Sequence, residues 1–552
     1  MTNRPVLPSV SRRTLLQASA VGVAAVPVLA YAQNSTPIAS PVSSPVAPPP
    51  AGSPAASPAA SPTPEVTVIE WPTYGQDLTG DKAIPDGVIT SQNVAGLTEL
   101  WTVDVGGPIS ATPVISGGIA YIGSYDGTLY AINIASGNVI WTYDTGAAVE
   151  EPNLKINLGV TGSAHVENGV VYVGDAAAMV HAIDTATGQA IWTRKVDDQE
   201  HASIWSSPVV WNGTVYVGVA SVAKQIGFRG SVVALNAESG EQVWKTFMVP
   251  EDADGAGVFA VPAIDEQRGM LFVGTQNAYS ESDAPYGNPI SIVALNASSG
   301  DIAWTYNAPP NDGNKAPTDD VGFSASPNLF TATIDGVDRD LVGEGQKSGD
   351  FIVLDRETGE KVWTATVSPA GFLGGMEGTS AVFNGIIAVP ATDWQDPSGQ
   401  GTGMVTGLDA TTGEQRWTAQ QDAPAPAPVA ISNDVVFHGG FDGVLHAYSL
   451  TDGTELFTAD LGASVSGGTA VADGVVIVGA ATPQFADFIK TGNQIHAFGF
   501  IAEATPAASP TTEEQVASPT AVPPTEAPVT SPTAEAPTET PSPTEEASPV
   551  IA

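Results

Sequence analysis

The amino-acid sequence predicts an all-β fold, an eight-bladed β-propeller flanked by disordered N- and C-terminal extensions. Three observations carry the prediction: a phrase that recurs through the middle of the chain, a closing aromatic that appears eight times, and a half-repeat at each end. The phrase is an alternating apolar run, then Asp or Asn, two or three small residues, Gly, and an aromatic. It reads LYAINIASGNVIW, VHAIDTATGQAIW, VVALNAESGEQVW and IVALNASSGDIAW, then FIVLDRETGEKVW, VTGLDATTGEQRW and LHAYSLTDGTELF.

Each part has a physical reading. The alternating run makes a half-buried strand. The D-x-x-(S/T)-G segment turns the chain, Gly supplying a backbone conformation that other residues resist and Asp or Thr satisfying the turn amides. The following strand ends in an indole that packs between neighbouring sheets. Upstream of each phrase lies a strand pair such as TPVISGGIAYIGS (112–124) or SPVVWNGTVYVGV (207–219). Each repeat therefore holds four short antiparallel strands over about 40 to 60 residues, the length of a propeller blade. The closing aromatics are Trp101, Trp141, Trp192, Trp244, Trp304, Trp363, Trp417 and Phe457. ELW at Trp101 ends a strand with no phrase before it, and IHAFGF (495–500) starts one with no ending. The eighth blade is thus shared between the two ends of the repeat region, which clasps the ring and hides its strand edges.

The flanks read differently. Residues 1–32 hold a basic region with Arg12 and Arg13, a short apolar run and a small-x-small site at 30–32, the pattern of a signal peptide. The arginine pair, after Ser11 and before Leu15 and Leu16, resembles the twin-arginine signal, so export to the periplasm, cell surface or medium is expected. Residues 33–65 are a Ser/Pro/Ala-rich linker, 66–501 the propeller, and 502–552 a Pro/Thr/Ser/Glu-rich tail. Linker and tail lack the apolar periodicity that offsets chain entropy and are expected to be disordered. No apolar run after the signal is long enough for a transmembrane helix.

Composition excludes several functions. With 59 acidic residues against 18 basic ones and a net charge of −41, nucleic acid is a poor partner. The absence of cysteine excludes disulfides, thiolate metal sites and c-type haem attachment. His181, His446 and His496 share one repeat position inside strands, a packing signature, while His165, His201 and His438 fall nearer loops.

Five stretches carry a resemblance: WPTYGQDLTGD (71–81), GFRGSVVALNAESGEQVWKT (227–246), DEQRGMLFVGTQNAYS (265–280), LVGEGQKSGDFIVLDRETGEKVW (341–363) and SPAGFLGGMEG (368–378). With them the chain resembles the pyrroloquinoline quinone (PQQ) dehydrogenase propellers over roughly residues 70–500, in particular the polyvinyl alcohol dehydrogenase-like branch. The resemblance implies oxidation of small-molecule or polymeric alcohols by hydride transfer to PQQ, with calcium polarising the quinone and a carboxylate taking the alcohol proton. It further implies Arg229 of GFRG and Lys347 of GQKSG as cofactor-binding cations, and Asn277 of GTQN as a calcium ligand. Asp312 of APPND is the implied catalytic base and a second calcium ligand, and Asp320 of TDDVGFSASP the alternative base.

The sequence departs from the family at several points. Phe259 stands where relatives place a ring-stacking Trp, and Gly378 where a Trp is common. The adjacent cysteine pair is absent. In place of a calcium-binding glutamate the chain has Ala223, Lys224 and Gln225, of which Gln225 offers a neutral oxygen. Without c-type haem, electrons would leave to an external acceptor. The second functional reading is a non-catalytic PQQ-like propeller serving as a cell-surface binding or scaffold protein. A closed propeller needs no partner to be stable, so the sequence sets no oligomeric state.

Overall fold

The computed structural model describes residues 69–151, 156–222, 227–278, 288–308, 321–371, 375–395, 401–483 and 486–501. The expected signal, linker and tail lie outside these residues. Eight blades, each built on four antiparallel strands, follow one another, and in blades 1 to 7 those strands pair in sequential order. Blades 1 to 7 span 114–144, 165–195, 209–247, 263–307, 328–366, 381–421 and 430–460. Blade 8 takes three strands from 469–499 and its outermost from Thr98–Asp104, which runs antiparallel to Gln494–Gly499 in the register Thr98↔Gly499 to Asp104↔Gln494. The clasp predicted from the two half-repeats is the one observed. Among the described residues there is no α-helix, only a 3-10 turn at Val94–Gly96.

The phrase does in space what its residues require. Its Asp or Asn side chain accepts the turn amides, as Asn236 does from Glu238 at 3.1 Å and Ser239 at 2.8 Å. The turn glycine adopts φ of 68–75° in blades 1 to 7, the left-handed region that side chains resist. The tryptophan of the preceding blade lies against that glycine, where a Cβ would stand only 2.6–2.8 Å from the indole. Each indole N–H then donates to a carbonyl of the same turn, from Trp101 to Ile134 at 2.8 Å through Trp417 to Leu450 at 2.8 Å. Buried apolar side chains form slabs between neighbouring blades, such as Tyr216, Val232 and Trp244 of blade 3 with Ile264, Leu271 and Val293 of blade 4.

A bulge in every blade completes the design. The pairing of the third and fourth strands shifts register just before the closing aromatic, so that Ala234 faces Trp244 and Leu235 faces Gln242. The skipped residue is turned outward, which leaves Ile140 47% and Val243 55% exposed. The bulge twists the strand and aims the aromatic at the next blade.

Residues 69–84 form a strap inside the ring. Backbone hydrogen bonds join Trp71 to Ile115 of blade 1, Pro72 to Val166 of blade 2, Leu78 to Ile264 of blade 4 and Thr79 to Leu329 of blade 5. They continue from Asp81 to Val382 of blade 6 and from Lys82 to Ile431 of blade 7, and Ile69 donates to Asp473 of blade 8. The strap ends as the short strand Ala83–Ile84, parallel to the innermost strand of blade 7. Its backbone bonds reach the innermost strands of blades 1, 2, 4, 5, 6 and 7 in that order, and Tyr74 of the strap gives the channel a floor.

Candidate functional site

Above that floor lies a cavity of 370 Å³, within the usual range of ligand sites, lined by segments that lead into the innermost strands. Tyr74 of the strap contributes to it, with its hydroxyl donating to Thr379 at 2.7 Å. Small hydroxyl residues recur around the wall because the segments before successive blades occupy equivalent places, with Thr112, Ser163, Ser207, Ser326 and Thr379 at matching positions. They form a girdle: the Thr112 amide donates to Ser163 Oγ at 2.9 Å and the Ser163 amide to Ser207 Oγ at 2.8 Å. On the other side the Val261 amide donates to Ser326 Oγ and the Ser326 amide to Thr379 Oγ1. These oxygens accept a backbone N–H from the neighbouring blade, so the hydroxyls link blades and still carry a proton to offer a ligand.

One wall is aromatic. Trp205 and Phe259 lie with centroids 5.6 Å apart and planes at 35°, and both line the cavity. The part of the wall that comes from blade 5 and the crossover to blade 6 carries charge. Lys347 sits at the tip of the tight turn between strands Val337–Gly345 and Asp350–Asp355. Gln346, bonded to the Val321 carbonyl at 2.7 Å, and Ser348, bonded to Gln346 at 2.8 Å, fix that turn. The Lys347 ammonium lies 3.2 Å from Glu377, the two side chains being 12% and 24% exposed. Among the described residues that line the cavity, these two alone carry charge.

Of the residues singled out by sequence, Phe259 and Lys347 thus share the cavity. Arg229 does not line it. Its guanidinium donates to the Val249 carbonyl through Nε at 3.3 Å and Nη2 at 2.8 Å and covers the Phe247 ring at 3.9 Å. Its own amide donates to Gln199 at 2.9 Å. With Gly227 donating to Asp254 and Gly230 to the Gly255 carbonyl, GFRG clamps the crossover from blade 3 to blade 4. That geometry explains an arginine there without a ligand: two backbone carbonyl contacts and an aromatic face suit a planar cation.

Asn277 also stands off the cavity. Its carbonyl accepts the Ala256 amide at 2.8 Å, and its side chain borders Gly322, whose carbonyl accepts the Lys347 amide. It lies behind the wall that carries Lys347. Gln225, Asp312 and Asp320, with Ala223 and Lys224, lie outside the described residues. Gly378 has no room for the tryptophan of relatives, since a Cβ there would come within 2.7 Å of the Pro426 carbonyl.

The loop histidines do not converge. His165 faces the strap side, His201 sits on the rim, and His438 is buried against the Ala427 carbonyl at 2.9 Å. Burial pushes both His165 and His438 down to about 4, so both are neutral packing residues at ordinary pH. Among the described residues no three Asp, Glu, His or Cys side chains are placed to hold a metal. The sequence reading missed Tyr74, Trp205 and Glu377. The recurring Ser before Pro was a legible signal for the girdle, whereas nothing local marks a strap residue or a loop glutamate as facing a channel.

A ring of four-stranded blades, clasped by the N-terminal strand and closed below by a strap, defines a β-propeller with a central ligand-sized cavity. A family model described as PQQ, "Glucose/ethanol/alcohol dehydrogenase, beta-propeller domain", matches residues 71–373, and one described as "Outer membrane protein assembly factor BamB" matches 400–524. The chain belongs to the PQQ dehydrogenase β-propeller family. It is 26% identical over 435 residues to a polyvinylalcohol dehydrogenase of Pseudomonas sp, covering 70% of this chain and 67% of that one. It is 24% identical over 416 residues to the polyvinylalcohol dehydrogenase of Sphingopyxis sp. (strain 113P3), covering 66% of this chain and 62% of that one. In structure it is similar to the quinohemoprotein alcohol dehydrogenase ADHIIG of Pseudomonas putida HK5, with a TM-score of 0.71 at 21% identity over 80% of this chain and 82% of that one.

Proposed function

We propose that this chain is an exported, PQQ-dependent dehydrogenase-like protein that oxidises alcohol groups on small-molecule or polymeric substrates and passes electrons to an external acceptor. The observation that carries the reading is the meeting of Lys347 with the Trp205–Phe259 wall in one central cavity, in a chain of this family. The residues present fit a flat, oxygen-rich group: two aromatic faces, a cation and hydroxyl protons all line the one cavity. PQQ, when bound, supplies a carbonyl that accepts hydride. Lys347 would hold its oxygens, Trp205 and Phe259 would flank its rings, and Ser163, Ser207 and Ser326 would donate hydroxyl protons to it. Glu377 is the carboxylate of the described lining able to hold a substrate proton, beside the aspartates Asp312 and Asp320 proposed for that role from sequence.

Calcium fits the described residues less well. Asn277 supplies one amide oxygen and stands behind the wall, and among the described residues no carboxylate cluster accompanies it. A calcium ion, which takes six to eight oxygens, would depend on Asp312.

The Lys347–Glu377 pair also favours a second reading, because it neutralises the cavity's cation without a ligand. In that reading the chain is a non-catalytic propeller used for binding or as a scaffold at the cell surface. Titration of the purified full chain with PQQ, with and without calcium, separates the two. Quenching of tryptophan fluorescence followed by alcohol-dependent dye reduction is the expected result. Neither binding nor turnover in either condition would overturn the dehydrogenase reading and leave the binding propeller.

A further inference from the structure

The strap holds a lysine in an unusual place. Lys82 is fully buried. Its ammonium donates to the Tyr74 carbonyl at 2.7 Å and lies 3.9 Å from the centroid of the Tyr74 ring and 5.6 Å from that of Trp71. Among the described residues it forms no ion pair. Its backbone is pinned, with the amide donating to the Gly75 carbonyl and the carbonyl accepting from Ile431. A buried ammonium without a carboxylate partner is costly and normally neutralises. Here the two aromatic faces and one carbonyl support the charged form.

The other face of the matter is the cavity. Tyr74 lines it, so a ligand in the cavity meets a ring whose centroid is 3.9 Å from the Lys82 ammonium. The described lining carries one cation and one anion, paired with each other. A polycarboxylated aromatic would therefore find no surplus positive charge on the walls. Lys82 supplies that charge from beside the Tyr74 ring, in a water-excluded setting where Coulomb interactions are weakly screened.

We infer that Lys82 is a buried counter-charge for an anionic ligand in the central cavity, acting through Tyr74, and that ligand binding drives it into the ammonium form. The inference rests on the proposed function, since it takes a polycarboxylate as the cavity's ligand. Burial holds Lys82 down to about 7, with the charge of Asp81 opposing. An anion above Tyr74 raises its proton affinity. The titratable groups that face it are Asp81, whose own proton affinity is raised by burial and then by Asp77, and the Tyr74 phenol, pushed up to about 12 by burial. Lys82 is a positioning residue and takes no part in hydride transfer.

The test is calorimetric titration of the full chain with PQQ at pH 7.5 in two buffers of different ionisation enthalpy. If binding raises the lysine by about one unit, the native protein takes up about half a proton per PQQ, and its affinity falls about tenfold between pH 6 and pH 9. Lys82→Met is expected to bind about tenfold more weakly at pH 6 and to lose this uptake, which separates Lys82 from Glu377 as the proton acceptor. Lys82→Arg, charged throughout, is expected to keep the low-pH affinity at pH 9, and it serves if the methionine variant does not fold. Uptake that persists in Lys82→Met, or PQQ binding by the native chain without uptake, overturns the inference while leaving the dehydrogenase reading intact. Absence of PQQ binding to the native chain overturns that reading and the inference with it.

Discussion

Two rows of contacts join the blades, and they treat the eighth junction differently. The outer row is the dock of an indole on a turn glycine, present where Trp101, Trp141, Trp192, Trp244, Trp304, Trp363 and Trp417 meet the next blade. The inner row sets a glycine of a second strand against an apolar side chain of the following blade, as Gly123 does with Val160, Gly174 with Ile204 and Gly479 with Ile109. Between blades 7 and 8 the inner contact survives as Gly439 with Val465, but the outer one has Phe457 in place of tryptophan. The reason is topological. Blade 8 has no turn joining Gln494–Gly499 to Thr98–Asp104, because those strands come from opposite ends of the propeller. An indole N–H there lacks the turn carbonyl that every other junction supplies. Phe457 needs no acceptor and packs edge-on against Phe498, with centroids 6.2 Å apart.

The largest expected effect comes from breaking one outer dock. Gly300 has φ +75°, and a Cβ there would meet Trp244 at 2.6 Å and Thr246 Oγ1 at 2.7 Å. Gly300→Ala should cost about 3–4 kcal/mol, combining backbone strain with overpacking. Gly213 in blade 3 is the control, with φ +73° and nothing within 4 Å, so Gly213→Ala should cost only the strain, about 1 kcal/mol. Urea denaturation followed by tryptophan fluorescence reads both. Equal losses would mean that the indole contact adds nothing beyond the turn.

The blade count, the strand order and the N-terminal clasp were legible because each rests on a local rule repeated in register. Alternation gives strands, D-x-x-T-G gives turns, and an unfinished repeat at each end gives closure. The bulge was not legible: Ile140 and Val243 sit in apolar runs that read as buried, and only the shift before the aromatic turns them outward. The strap was not legible either, since 71–84 bonds to its partners through backbone groups that carry no sequence signal. Among the site residues, Lys347 and Phe259 were found through the resemblance to the family, at the positions where it implies a cation and a ring. Arg229 reads as a ligand cation in sequence, yet the carbonyl of Val249, twenty positions on, takes its guanidinium. What decides such a residue is a long-range contact, and motif spacing does not encode it.

The inner row offers a smaller test at the junction of blades 4 and 5. Beside Gly274 and Phe323 lies the side chain of Glu344, fully buried, with neither carboxyl oxygen hydrogen-bonded. Burial raises it well above its ordinary value of 4.5, so the folded protein keeps a proton that the unfolded chain releases. Stability is therefore lost as pH rises from about 4.5 toward the folded value, at up to about 1.4 kcal/mol per pH unit. Glu344→Met, similar in length and apolar, should raise stability by about 2 kcal/mol at pH 8 and flatten the slope between pH 5 and pH 8. Parallel stability–pH curves for the two proteins would show that Glu344 ionises freely in the fold.

The smallest effect should come from forcing the eighth junction to resemble the others. Phe457→Trp restores the ring of the outer row but not its acceptor, because the space next to it is filled by the 3-10 turn Val94–Gly96 and the start of the clasp strand instead of a D-x-x-T-G turn. The added N–H has either to reach solvent or to go unpaired, and a change of less than about 1 kcal/mol, destabilising, is expected. The reciprocal change, Trp417→Phe, removes the donor to the Leu450 carbonyl at 2.8 Å and leaves that acceptor inside the junction, which should cost about 1–2 kcal/mol. If Phe457→Trp instead stabilised the protein by a full kcal/mol, the clasp would have to offer a carbonyl where a turn is missing. The choice of aromatic would then owe nothing to how the ring is closed.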